Sequence, residues 1–95
     1  MSKADQFKAL IGAQSSQGFW PTTSLALISQ LMPSKKLPTS PTELQLTVIA
    51  MCLLEEVFGD KEQEWQMIYQ KAKQWLLSEG QDPVKLVDEM LNTLF

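Results

Sequence analysis

Apolar residues recur every three or four positions along most of this chain, and in one stretch they occupy nearly every position. The first segment, "KADQFKALIGAQ", places Phe7, Leu10 and Ile11 on one stripe of a short helix that ends near Gly12. After "GFWPTTS" a second stripe follows, made by Leu25, Ile28, Leu31 and Met32 and stopped by Pro33. The stretch from Pro41 to Phe58 carries Leu44, Leu46, Val48, Ile49, Met51, Cys52, Leu53, Leu54, Val57 and Phe58. Apolar residues there cover most of the helix circumference, so this helix is expected to be surrounded by the others. A fourth helix, in "KEQEWQMIYQKAKQWLLS", puts Trp65, Ile68, Tyr69, Ala72, Trp75 and Leu76 on one face and polar residues on the other. A last helix has Val84, Val87, Met90, Leu91 and Leu94 on its core face.

The boundaries have chemical causes. Thr22 or Thr23 can cap the second helix. Ser40, Pro41 and Glu43 read as a capping box with proline at the first helical position. Gly59 is expected to stop the central helix in a left-handed conformation, with Asp60 and Gln63 opening the next. Gly80 ends the fourth helix, and Asp82 with Pro83 opens the fifth. "PSKKLPTSP", with three prolines in nine residues, is a loop. No segment shows clear strand alternation. The expected fold is all-α, a compact single-domain bundle of about five helices around a central apolar helix. Residues 1–13 form a short peripheral helix of this one domain and residues 14–95 its core.

Composition narrows the function. The chain has 95 residues and 44% hydrophobic content, enough for one core. Eleven acids face eight bases, and every base is a lysine. Without arginine and with an acidic balance, nucleic-acid binding is not expected. No apolar run is long enough for a membrane span or a signal peptide, so the chain reads as soluble and cytoplasmic. There is no histidine, which removes the commonest general base and metal ligand. Cys52 is the only cysteine; in "VIAMCLL" it reads as a small buried hydrophobe.

No catalytic constellation emerges. The four glycines stand apart, so there is no phosphate loop. Glu55 and Glu56 read as the solvated end of the central helix, and Asp60, Glu62 and Glu64 as acids in a helix first turn. No enzyme activity, metal or cofactor is expected. Trp65 and Trp75 read as core, together with Val48, Ile49, Cys52, Leu53, Ile68, Tyr69, Ala72 and Leu76. Trp20 reads first as a residue that seats a helix entrance, because staples are common there. If "GFW" is exposed instead, Phe19, Trp20 and the neighbouring Leu27 form a docking anchor.

Two ordered patterns add a resemblance. Gly18, Trp20 and Thr23, followed by an apolar helix and then by Glu64, Trp65, Lys71, Ala72 and Trp75, are similar to the C-terminal helical region of VIT- and von Willebrand A-domain proteins. That family includes the vault poly(ADP-ribose) polymerase, whose C-terminal region binds the major vault protein. The match covers roughly Gln14 to Ser78. It departs from the family at Ser24, where an acid is usual, at Pro21, and throughout the "PSKKLPTSP" region. The resemblance implies a non-enzymatic targeting module that binds major vault protein and places its parent chain in the vault ribonucleoprotein particle. A structural module that packs on parent-chain domains, or self-associates through "VKLVDEMLNTLF", is the alternative.

Overall fold

The stretch from Thr42 to Glu56 organises everything around it. In the structure, a computed structural model that describes residues 2–32, 37–38 and 40–95, the helices are α1 (Lys3–Gly12), α2 (Leu25–Leu31), α3 (Glu43–Glu56), α4 (Glu62–Ser78) and α5 (Pro83–Leu94). Two 3₁₀ turns, Thr22–Ser24 and Gly59–Lys61, lead into α2 and α4. The chain is a small all-α bundle with no strand among the described residues. Every residue of α3 from Leu46 to Leu54 is buried. More than two turns of helix buried on all sides require neighbours all round, and α2, α4, α5 and both 3₁₀ turns pack on α3.

The capping box of α3 lies two residues later than expected. Thr42, not Ser40, is the N-cap: its hydroxyl accepts from Gln45 N–H at 3.1 Å, and Gln45 Oε1 accepts from Thr42 N–H at 2.9 Å. "SPTE" and "TELQ" are overlapping candidates. The second leaves Pro41 before the helix, where it is buried, and sets Glu43 in the first turn, where the helix dipole favours an acid. The far end also differs. Gly59 does not adopt a left-handed conformation, and Asp60 does not cap α4. Helix α3 ends at Glu56, and the Gly59–Lys61 turn reverses the chain with Lys61 N–H bonded to Phe58 O at 2.9 Å, so no positive φ is needed. Gly80 ends α4 as expected, and it does so with φ 77°, Gln81 N–H on Leu76 O and Gly80 N–H on Leu77 O, a Schellman stop. Asp82 Oδ1 accepts from Val84 and Lys85 N–H, with Pro83 at the first position of α5.

The entrance to α2 is not capped by Thr22 or Thr23. The 3₁₀ turn takes that role, and the buried Ser24 hydroxyl donates back to Pro21 O at 2.6 Å. The stop at Pro33 and most of the proline-rich loop lie outside the described residues. Helix α1 is joined to the core rather than peripheral: Phe7 and Leu10 are buried, and the Phe7 ring sits 5.1 Å from that of Phe58. Lys3 and Lys61 each lie 5.8 Å from one ring of that pair. Val84 is 61% exposed; it lies off the line of Pro83 and Val87, the residues α5 buries.

Trp20 ties these parts together. It has no exposed surface. Its indole N–H donates at 2.9 Å to Leu10 O in the last turn of α1, a carbonyl that also accepts from Ala13 N–H at 3.2 Å. Its backbone N–H donates to Thr47 Oγ1 at 2.9 Å, and the Thr47 hydroxyl donates in turn to Glu43 O at 2.7 Å. Among the described residues, no buried side-chain nitrogen or oxygen lacks a partner. Thr47→Val keeps the shape but leaves the Trp20 N–H buried without an acceptor. It should cost about 1–3 kcal/mol, read as a lower urea midpoint at unchanged slope; an unaltered midpoint would refute this role for Thr47.

Candidate functional site

The "GFW" stretch is the first place to look for a site, and its geometry begins at Ser15. Ser15 N–H donates to Phe19 O at 2.8 Å, and its hydroxyl accepts from the N–H of Phe19 and of Gln17. This closes a tight loop whose tip lies on α4. Gln14 Nε2 donates both to Gly18 O and to Ile68 O, each at 3.0 Å, and so bridges the loop to α4. Gly18 has φ 111°, and a Cβ placed there would lie 2.5 Å from Lys71 O. Only glycine meets both demands. The Phe19 ring packs on Trp75 with centroids 5.1 Å apart.

Of the three residues considered as docking anchors, Trp20 is wholly interior, while Phe19 and Leu27 are half-buried. They do not form one open face. "GFW" and the tryptophan helix α4 instead pack against each other through Gly18–Lys71 and Phe19–Trp75. Of the residues assigned to the core, Val48, Ile49, Cys52, Leu53, Trp65, Ala72 and Leu76 are buried. Ile68, Tyr69 and Trp75 are partly buried against them. The Trp65 indole donates to Phe58 O at 2.7 Å.

A small polar pocket of about 140 Å³ opens between α3, α4 and α5, lined by Glu55, Tyr69, Lys73 and Asp88 with Met51 and Val87. There the Tyr69 hydroxyl donates to Glu55 Oε2 at 2.5 Å. Burial and then the hydrogen bond to Glu55 push the Tyr69 phenol above its ordinary range. Cys52 lies nearby, with its Sγ 3.7 Å from Val87 O. Burial, and then the charges of Glu55, Glu56 and Asp88, push its thiol up to about 12. Both groups are therefore held in their neutral forms near pH 7, the opposite of an activated nucleophile. Among the described residues, no three of His, Cys, Asp and Glu come together as metal ligands. No helix there is long and apolar enough to cross a membrane.

The larger feature is a groove of about 620 Å³ between the first half of α3 and the second half of α5. Leu44 and Val48 line it from α3, Leu86, Met90 and Leu94 from α5, and Leu37 and Pro38 also contribute. Gln45, Glu89 and Thr93 also line it, and among the described residues Glu89 is the one charged side chain of the lining. Pattern reasoning missed this groove because it assigned Met90 and Leu94 to a closed core face. Both are only half-buried. A face that is apolar but unfilled has the same sequence pattern as one that is filled.

No family model, no curated protein and no solved structure matches the chain.

Two outcomes follow from this geometry. Gly18→Ala must find room against the Lys71 carbonyl at a positive φ and should lose about 2 kcal/mol or more; thermal melting that matches wild type would refute the close approach. The raised Cys52 and Tyr69 values also give a pH dependence. Each group is harder to ionise folded than unfolded, so its share of stability is complete below the ordinary value, 9.0 for the thiol, and is lost as pH rises toward the folded one. Denaturant midpoints should be level from neutral pH to about 9 and fall above it, and Cys52→Ala should soften that fall.

Proposed function

We propose that this chain is a non-enzymatic helical module that binds another protein in the groove between α3 and α5. The groove itself carries the reading. It presents Leu44, Met90 and Leu94 from two packed helices over a buried Val48, and among the described residues Glu89 is the one charged side chain in the lining. Interface cores have this composition: apolar anchors, few charges and a polar border. The two side chains with displaced pKa values support the non-enzymatic part, since both are shifted away from reactivity at neutral pH.

Major vault protein is the partner that the resemblance suggests, with the module directing its parent chain to the vault particle. The residues behind that resemblance are engaged inside the fold. Trp20 has no free surface, and Phe19 lies on Trp75. The groove therefore replaces "GFW" as the docking face in this proposal.

Co-sedimentation with assembled vault shells tests both parts. The wild-type chain is expected to sediment with the shells. Met90→Lys and Leu44→Lys, each shown by circular dichroism to be folded, are expected to bind at least about tenfold more weakly. A folded wild type that stays in the supernatant rules out major vault protein. Groove variants that sediment like wild type move the docking face elsewhere.

A further inference from the structure

Sulfur is divided unevenly between the inside and the outside of this fold. Among the described residues five side chains carry it: Met32, Met51 and Cys52 are buried, Met90 is half-buried, and Met67 is 85% exposed. The position of Met67 on α4 explains its exposure. With about 100° per residue it lies roughly 200° round the helix from Trp65, which α4 buries together with Ala72 and Leu76. Its neighbours one turn away, Gln63, Glu64, Gln70 and Lys71, are all polar and exposed. Met67 fills no gap in the core, and it does not line the α3–α5 groove. Its thioether is open to any small solute that reaches α4. An oxidant reaches Met32, Met51 or Cys52 only when the helices open.

We propose that Met67 is a reversible oxidation site, converted to the sulfoxide by hydrogen peroxide in the folded chain and restored by a dithiol reductase. In the forward step a sulfur lone pair attacks one peroxide oxygen. The S–O bond forms as the O–O bond breaks, the sulfur gives up two electrons to the peroxide, and the second oxygen leaves as water. In the return step two reductase thiols supply two electrons and become a disulfide, while the sulfoxide oxygen leaves as water. The sulfoxide is polar, and at Met67 it joins a face that is already polar, so the fold accepts it. The same change at Met51 would bury a polar group inside the run of α3 that is covered on all sides. This modification is independent of the groove and of any partner that enters it.

Peroxide treatment followed by peptide mapping tests the proposal. Each of these methionines falls in its own tryptic peptide: Met32 in 9–35, Met51 in 37–61, Met67 in 62–71 and Met90 in 86–95. Fragmentation of the 62–71 peptide separates oxygen on Met67 from oxygen on Trp65 or Tyr69. Met67 is expected to gain oxygen at least about tenfold faster than Met32 and Met51 in the folded chain. In guanidinium chloride the rates should converge, which assigns the difference to the fold. The singly oxidised chain should keep its helical circular dichroism and melt within about 4 °C of wild type. Methionine sulfoxide reductases for both sulfoxide epimers, with dithiothreitol, should return the 62–71 peptide to its original mass in the folded chain. A Met67 that reacts no faster than Met51 overturns the proposal, as does a sulfoxide that unfolds the chain or resists both reductases.

Discussion

The burial of Trp20 is the constraint on which most of this structure depends. One residue joins three separate parts of the chain: its indole N–H ends α1 at Leu10, its backbone N–H meets Thr47 in the middle of α3, and Pro21 beside it starts the turn into α2. A tryptophan can take this position only because each of its N–H groups finds an acceptor; an unmet donor at such depth would cost about as much as several methylenes of burial contribute. Thr47 is the necessary counterpart. Its hydroxyl accepts from Trp20 and donates to Glu43 O, so the one polar side chain within the buried run of α3 has both functions satisfied.

From this anchor the loop that precedes it can be understood. Phe19 follows the chain outward onto Trp75, and Gly18 lies against the Lys71 carbonyl, so "GFW" is clamped between α3 on one side and α4 on the other. Gly18, Phe19, Trp20 and Trp75 are thus residues that hold two segments together. Such a pattern reports a way of packing, and other chains could meet the same packing demand while binding different partners or none. Packing leaves other surfaces unfilled among the described residues, and the α3–α5 groove of about 620 Å³ is one of them.

The absence of histidine and the depth of Cys52 have a common consequence. Within the chain, the side chains best able to move protons near neutral pH are missing, and those that remain in the interior, Cys52 and Tyr69, are held protonated by burial and by neighbouring carboxylates.

The helical class, the number of helices and the central place of α3 were legible in the sequence, because helix periodicity and a fully apolar stretch report burial directly. The stops that depend on local chemistry were legible where one candidate stood alone, as with Asp82–Pro83 and Gly80. They were misplaced where two overlapped, as with Ser40 and Thr42, or where a 3₁₀ turn made a left-handed glycine unnecessary, as at Gly59. Tertiary structure alone decided that Trp20 meets Leu10 and Thr47, that Gly18 meets Lys71, and that Leu44, Met90 and Leu94 border a groove instead of a closed core. The reason is physical. Periodicity determines which face of a helix is apolar, but what lies opposite that face depends on how distant segments meet, and no local pattern in the chain encodes that separation.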